Sequence, residues 1–324
     1  MAFEYSRHFH GMPVLITGGA GFIGSHLAHR LVELGAQVRV LDDLSGGFRE
    51  SVPDHAQLIV ASILDDRALG QAARGCTYIF HEAAMVSVPE SVEHPARCAE
   101  VNILGTERVL EAAKDAGIKR VIFAASAAAY GGEPHLPSRE DHPADCRSPY
   151  AASKVAGEAL CAAFAHCYPL STVCLRYFNI FGPRQNPNSA YAAAISAFAK
   201  ALQCGQAPTI YGDGKQTRDF TYIDNVVYAN LLAAASEREF KGDIINVGTG
   251  MRISLLEVID HMAETMTAPV KPIFVPARPG DVRDSMADIS RARNLLGYEP
   301  IVDFETGIRR MLNPSQASER VARR

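Results

Sequence analysis

A short apolar run that breaks into glycines and passes at once into a helical repeat constrains this chain more than any other feature. Val14-Leu15-Ile16-Thr17 has the make-up of a strand buried on both faces. Gly18, Gly21 and Gly24 follow it, and Ile23, Leu27, Leu31 and Leu34 then recur at helical spacing up to a closing Gly35. Val38 to Leu41 is a second strand, ending at Asp42 and Asp43. Strand, crossover helix and strand predict a parallel α/β sheet. Glycines at the turn let the backbone bend tightly and approach a pyrophosphate, which would rest on the free N–H groups of the helix. A generic turn with glycines looks the same up to this point, and Asp42 separates the two. It lies eighteen residues after Gly24, where a carboxylate meets the adenosine ribose hydroxyls of a dinucleotide. A carboxylate there repels a 2′-phosphate and Asp43 adds a second negative charge, so the expected cofactor is NAD rather than NADP.

The alternation continues. Leu58 to Val60, Tyr78 to Phe80, Val121 to Phe123 and Thr172 to Leu175 read as strands, and 101–116 and 149–167 as helices. This is the pattern of a doubly wound parallel α/β sheet of Rossmann type. After Tyr177 it loosens. A loop rich in proline and asparagine leads into a helix over 190–204. Short strands (208–211, 220–222, 244–247, 272–275) then alternate with helices near 224–236, 254–266 and 288–297. We expect an NAD-binding domain over 1–180, with a part near 221–250 returning to its sheet. Residues 181–324 mainly form a smaller mixed α/β substrate domain, and 313–324 read as a polar tail. His8 and His10 read as tail residues without a role.

Composition excludes several classes. At 48% hydrophobic and 21% charged residues the chain is an ordinary globular one. A net charge of −4 gives no basic surface for nucleic acid. No apolar run approaches the roughly 20 residues needed to span a bilayer, and residues 1–13 lack the apolar centre of a secretory signal. Seven cysteines, an odd number without C-x-x-C, are expected to be reduced, mostly buried thiols of a cytoplasmic protein. The eleven histidines show no metal-binding spacing, so no metal is expected.

Tyr150 and Lys154 stand one helical turn apart in Ser148-Pro149-Tyr150-Ala151-Ala152-Ser153-Lys154. Ser148 is a suitable cap for that helix and Pro149 suits its first turn. A free tyrosine, with a pKa near ~10, is a poor base at neutral pH, and a nearby ammonium is expected to lower that value. Such a tyrosine can take a proton from a sugar or alcohol hydroxyl. Taken alone, the pair reads better as two ordinary surface residues.

Taken together, the segments resemble the short-chain dehydrogenase/reductase superfamily, in its extended branch of nucleotide-sugar epimerases and dehydratases. Beside G-x-x-G-x-x-G and Y-x-x-x-K, His81-Glu82-Ala83-Ala84 is similar to that branch's H-x-A-A, and Ser126 with Tyr130-Gly131 to its S-x-x-x-Y-G. Arg176-Tyr177-Phe178-Asn179 and Arg278-Pro279-Gly280-Asp281 resemble later segments that meet the nucleotide, and the likeness runs from about Val14 to Asn313. The resemblance implies cofactor contacts at Phe22 and Ile23 beside the glycines, at Ser45 and Gly46 after the acidic pair, and at Ser62 and Ile63. It also implies them at Ala83, Ala84, Asn102 and Tyr177, with Tyr150 and Lys154. Ser62 stands where many relatives carry an aspartate. Ser126, Tyr150 and Lys154 are the implied catalytic set. The branch's usual homodimer implies a helical contact through residues near 92–116 and 150–167.

Two departures narrow the activity. The dehydratases and decarboxylases of this branch place an acidic residue just after the serine, whereas Ala127-Ala128-Ala129 supplies none. That leaves removal and return of a hydride, a 4-epimerisation of a UDP-hexose. Ser87, Ser126, Asn179, Ala193, Tyr211, Arg218, Arg278 and Asp281 are implied substrate contacts. Ser285 stands where some UDP-galactose epimerases carry a bulky tyrosine. A small residue there admits an N-acetyl group, so UDP-N-acetylglucosamine and UDP-N-acetylgalactosamine are the expected substrates. UDP-glucose/UDP-galactose and the uronic acids, with Arg283 or another arginine near C6 as a reader of the carboxylate, stay open, as does a non-catalytic NAD-binding sensor.

Overall fold

The computed structural model describes residues 5–132, 135–185, 194–266, 269–277 and 282–312. Its centre is a seven-stranded, all-parallel sheet. In chain order the first six strands are β1 (Pro13–Thr17), β2 (Gln37–Asp42), β3 (Gln57–Val60), β4 (Tyr78–His81), β5 (Arg120–Ser126) and β6 (Ser171–Tyr177). Four short strands follow, β7 (Ile180–Phe181), β8 (Thr209–Tyr211), β9 (Thr217–Arg218) and β10 (Thr221–Tyr222), before β11 (Lys241–Val247) rejoins the sheet. The spatial order is β11-β6-β5-β4-β1-β2-β3. Strand order therefore reverses between β1 and β4, which opens a crevice at their C-terminal ends. The remaining strands, β12 (Ile253–Ser254) and β13 (Ile273–Val275), pair with β9 and β8.

Helices cover both faces. On one side lie α2 (Phe22–Glu33) and α9 (Ile223–Ala235), and on the other α3 (Asp66–Ala73), α6 (Gly105–Asp115) and α7 (Pro149–Cys167). The strands between them are buried on both faces, which is why β1 and β4 read as apolar runs. Arg120, 2% exposed, locks α9 onto β5 by donating to the carbonyls of Ala233, Ala234 and Ser236 at 2.7, 3.0 and 2.9 Å. The rest of the helices, α8 (Ala194–Gln203), α10 (Leu255–Met266), α11 (Ser290–Leu296) and α12 (Phe304–Leu312), belong to the second half of the chain.

Several expectations need correction. The N-terminal residues are not a tail: Tyr5–Phe9 form a short helix α1, Phe9 is fully buried, and His8 stacks on Tyr78 with its Nε2 3.1 Å from the phenol oxygen. The helix expected over 101–116 is α-helical only over α6, and residues 88–104 before it take other forms. They form α4 (Val88–Glu93), α5 (Pro95–Ala99) and a π-turn (Glu100–Leu104) that widens the chain before α6. Proline at the start of each short helix and the extra residue in the π-turn account for the break. Helix α12 adds to the elements expected from sequence; inside it, a Cβ on Gly307 would press 2.8 Å from the Phe181 ring, so the glycine allows close packing. The start of the helix expected at 190 and the tail 313–324 lie outside the described residues. No described helix is long and apolar enough to cross a membrane. Cys76, Cys98, Cys161 and Cys174 are buried free thiols, whereas Cys146, Cys167 and Cys204 are exposed.

One ion pair is wholly enclosed. Arg176 on β6 meets Glu158 on α7 through two bonds of 2.7 Å each, both side chains 4% exposed, with the Tyr130 ring 4.7 Å from the guanidinium. Removing one partner strands a charge without water. Glu158→Ala is expected to lower unfolding free energy by about 3–5 kcal/mol, measured by urea denaturation; a loss near that of an exposed ion pair would refute this role.

Candidate active site

The crevice is walled by the C-terminal ends of the central strands and is built from backbone first. Gly18 takes φ +71°, and a Cβ on it would lie 2.6 Å from the Ala83 nitrogen. The turn after β1 thus touches the turn after β4, an approach open only to glycine. At Gly24 a Cβ would fall on the Gly18 carbonyl. Gly21 is the N-cap of α2 and offers no side-chain cap, so the first N–H groups of that helix are not taken by a capping side chain. Phe22 and Ile23 form the first turn and pack on the core. Gly47, which sequence reasoning passed over in favour of Gly46, also belongs to the cradle. Its Cβ would stand 2.5 Å from the Ala20 carbonyl carbon, whereas a Cβ on Gly46 would meet nothing.

Asp42 closes the loop. Its carboxylate accepts the N–H groups of Ala20 at 2.9 Å and Leu44 at 2.8 Å. Burial pushes its pKa up, and these bonds oppose the rise. Asp43 and Ser45 are exposed and bonded to each other. Ser62 caps its own turn by accepting from Leu64 at 3.2 Å. The Ile63 side chain points into the core against Gly105, which leaves its backbone as the part able to reach a cofactor. These glycines, the uncapped helix and the enclosed carboxylate fit a dinucleotide: the residues near Gly18 to Gly24 would hold its pyrophosphate and Asp42 a ribose.

Asn102 has a different task from the expected cofactor contact. It is 2% exposed, with Oδ1 accepting from Met85 at 2.7 Å and Nδ2 donating to the Met85 carbonyl at 3.0 Å and to Ser153 at 2.9 Å. It ties the segment after Ala83 and Ala84 to α7. Ser87 likewise caps α4 through Glu90. Ser91 on that helix, not singled out from sequence, accepts the Tyr150 N–H at 3.1 Å and fixes the start of α7. Ser148 accepts from Ala151 at 3.1 Å, as expected of a cap. His81 bridges Thr17 and Thr106 at 2.7 and 3.0 Å, and burial lowers its pKa to about 3, so the imidazole is a neutral brace between β1 and α6.

On this frame Ser126, Tyr150 and Lys154 converge. Ser126 ends β5 and begins a 3-10 turn over Ala127–Tyr130 that carries no carboxylate, its Oγ accepting from Ala128 at 3.1 Å. Lys154 is 4% exposed, with Nζ donating to the Ala124 carbonyl at 2.8 Å and lying 5.9 Å from the Tyr150 ring centre. The expected depression of the Tyr150 pKa by the ammonium is not what the structure gives. Burial raises it, a hydrogen bond with Ser126 opposes the rise, and the electrostatic effect of neighbouring Cys98 and Glu82 adds to it. Burial also lowers Lys154 to about 8, with Glu82 the main force in the other direction.

Glu82 is the residue that sequence reasoning missed, though it stands inside H-x-A-A. Its Oε1 accepts the Tyr177 hydroxyl at 2.9 Å, while Oε2 is enclosed without a partner. Tyr177 in turn accepts from Asn230 on α9 at 2.9 Å. The Tyr177 hydroxyl is thus committed to protein partners rather than to a cofactor. Burial raises the Glu82 carboxyl to about 7, opposed by the Tyr177 bond and by Lys154.

The second half of the chain supplies the other wall. Asn179, at φ +32°, donates to the Ser285 hydroxyl at 3.0 Å, and the Ser285 N–H donates to the Thr217 carbonyl at 3.1 Å. Asp219, fully buried, accepts from Thr249 (N–H and hydroxyl), Gly250 and Ala287 and so gathers three loops. Arg218 lies next to it and donates to the carbonyls of Thr217 and Arg283 at 2.9 and 3.2 Å. Tyr211, 37% exposed, ends β8. Arg283 is exposed and forks onto Asp213 at 3.0 and 3.2 Å. Ala193, Arg278 and Asp281 lie outside the described residues. No group of three or more metal-ligating side chains occurs among the described residues.

A model of the NAD dependent epimerase/dehydratase family matches residues 14–248. A UDP-glucose 4-epimerase of Mycolicibacterium smegmatis is 40% identical over 304 residues, covering 92% of this chain and 96% of that protein. Among solved structures, a UDP-N-acetylglucosamine 4-epimerase from Methanobrevibacter ruminantium in complex with UDP-N-acetylmuramic acid superposes with TM-score 0.90. It is 36% identical and covers 95% of this chain and 99% of that one. A Thermus thermophilus UDP-glucose 4-epimerase in complex with NAD superposes with TM-score 0.85 at 36% identity, covering 95% of this chain and 100% of its own.

The state of Glu82 can be read from stability. Its folded pKa, about 7, lies above the ordinary 4.5, so the folded chain holds this proton more tightly than the unfolded one. That stabilisation is complete below the unfolded value and is lost as pH rises through about 7. Glu82→Gln is expected to unfold at higher denaturant than the parent at about pH 8, by on the order of 1–3 kcal/mol, with the advantage gone near pH 4.5. An equal effect at both would refute it.

Proposed function

This chain belongs to the NAD-dependent epimerase/dehydratase family, and from that premise we propose that it interconverts UDP-N-acetylglucosamine and UDP-N-acetylgalactosamine by inverting C4. The relatives and the neighbouring structures support the coarser activity, NAD-dependent 4-epimerisation of a UDP-sugar. The choice of sugar is the finer reading. The observation that carries the reaction type is the convergence of Ser126, Tyr150 and Lys154 beside a turn, Ala127–Tyr130, that offers no acid for a second chemical step.

The protein's part is proton handling and orientation. Tyr150 takes the proton of the C4 hydroxyl and returns it after the sugar has turned. The Ser126 hydroxyl holds O4 during the exchange and favours the phenolate, as its effect on the Tyr150 pKa indicates. Bound NAD supplies the hydride acceptor and later the donor. Lys154, fixed on the Ala124 carbonyl, adds positive charge on the α7 side of the phenol. Lys154 is buried and Ser126 and Tyr150 are half-buried, so a sugar seated over them would complete the exclusion of water that protects a 4-keto sugar while it rotates about its diphosphate link. Asn179, Tyr211 and Arg218 would receive the nucleotide, with Arg218 offering charge-assisted bonds to phosphate.

Ser285 supports the N-acetylated substrate. Its short side chain is fixed by Asn179 in the second wall, and a tyrosine there would fill the space beside that asparagine. The pairing of Arg283 with Asp213 disfavours that arginine as a reader of a uronic carboxylate.

Incubation of UDP-N-acetylgalactosamine and, separately, UDP-galactose with the protein, followed by proton NMR without added NAD, tests the reading. Faster conversion of the N-acetylated sugar is expected, and conversion of UDP-galactose alone would overturn the substrate choice. Tyr150→Phe should lower turnover by about 10²–10⁴ with unchanged thermal stability; near-parental turnover would remove Tyr150 as the base. Ser285→Tyr should abolish conversion of the N-acetylated pair and spare UDP-galactose, whereas equal loss on both would dismiss the size gate.

A further inference from the structure

Glu82 is a buried carboxylate that the proton transfer does not use. It sits at the C-terminal end of β4, where a Cβ on Gly18 would come within 2.8 Å of its carbonyl carbon, so it borders the cofactor cradle. One oxygen is held by Tyr177 from β6, itself braced by Asn230 from α9, and the other has no partner. An unpaired, enclosed carboxylate oxygen costs stability unless something charged lies near it. Its charge reaches α7: it opposes ionisation of Tyr150 and supports the ammonium form of Lys154. The other ionisable groups facing the two α7 side chains are the Cys98 thiol on α5, and Glu158 and Cys161 further along α7; His81 is neutral.

In 4-epimerisation the hydride leaves C4 while the proton leaves O4 for Tyr150. The two departures are from adjacent atoms, so the nicotinamide ring has to lie within contact of the carbon that Tyr150 serves. A fixed charge that acts on both Tyr150 and Lys154 therefore also acts on that ring. The oxidised ring is a cation and the reduced ring is neutral. The Lys154 ammonium disfavours the oxidised form, and a carboxylate opposes that effect.

We propose that Glu82 is a positioning residue whose carboxylate, held by Tyr177, offsets the Lys154 charge and favours the oxidised over the reduced form of the bound dinucleotide. This rests on the reading of the crevice as an NAD-dependent epimerase site. The consequence for the reaction is that the hydride is returned rather than stranded: the resting form, NAD⁺ with sugar, is favoured over NADH with keto sugar.

Glu82→Gln keeps the acceptor for the Tyr177 hydroxyl and removes only the charge. The primary measurement needs no substrate. NADH is titrated against the NAD⁺-loaded protein at about pH 8, with displacement followed by NADH fluorescence. In Glu82→Gln the preference for NAD⁺ over NADH should narrow by at least about fivefold. At about pH 5.5, where the parental carboxyl is protonated, the two proteins should agree. Loss of the carboxylate lets Lys154 shed its proton, which would mask the change, so the same comparison is made in Lys154→Met, where no such compensation exists. An unchanged NAD⁺ preference in both backgrounds overturns the proposal, as does a change of equal size at both pH values. A second arm adds UDP-N-acetylgalactosamine to the proteins that retain Lys154 and reads absorbance near 340 nm. The variant should accumulate several-fold more NADH than the parent during turnover. Turnover with an unchanged NAD⁺ preference sinks this inference alone. A shifted preference in a parent that converts no UDP-sugar sinks the epimerase reading and leaves the role of Glu82 standing.

Discussion

The close approach of two backbones, Gly18 after β1 and Glu82–Ala83 after β4, is the contact on which the rest of the site depends. It exists because the strand order reverses between those strands and because Gly18 has no side chain to hold them apart. The same contact brings the cradle for a dinucleotide to within reach of α7. Asp42 and Gly47 hold the cradle from one side, and Asn102 and Ser91 hold the β4 turn and the start of α7 from the other. Several polar residues that a motif would assign to ligand are in fact the struts that hold ligand-facing backbone in place.

Charge is distributed sparingly in this interior. Arg176 and Glu158 neutralise each other through two bonds and serve the frame. Lys154 and Glu82 are left only partly compensated, and burial moves both toward neutral pH, to about 8 and about 7. Such displaced values are costly to a fold and are found where protons and charges have to move. Tyr150 lies between them electrostatically, discouraged from ionising by burial and by Glu82 and encouraged by Ser126. The phenol therefore rests protonated in this structure, and its reactivity has to come from what is bound beside it.

The second wall of the crevice is joined to the sheet through β6. Tyr177 bonds Glu82, and two residues later Asn179 bonds Ser285, so the β4 turn and the second wall share one short stretch of chain. Asp219 and the cluster of Tyr130, Phe178, Ala287 and Ile289 hold the loop of Ser285 against that stretch. A change of size at Ser285 is therefore felt directly at Asn179.

The sheet, the cofactor class and the helix carrying Tyr150 and Lys154 were legible in the sequence. Continuous apolar strands, a glycine turn, Asp42 and a capped Tyr150–Lys154 helix are local features, set by residues near one another in the chain. Tertiary structure alone decided what those residues face. Asn102 and Ser87 turned inward to brace, Gly47 rather than Gly46 met the loop, and Phe9 made a tail into part of the core. The role of Glu82 was invisible in H-x-A-A because it depends on Tyr177, Asn230 and Lys154, which lie 95, 148 and 72 positions further along the chain. Burial and long-range charge are properties of the packed molecule, so no local pattern could report the pKa of Tyr150 or Lys154. The lysine that the motif suggests as an activator is itself partly discharged by the same burial that raises the tyrosine.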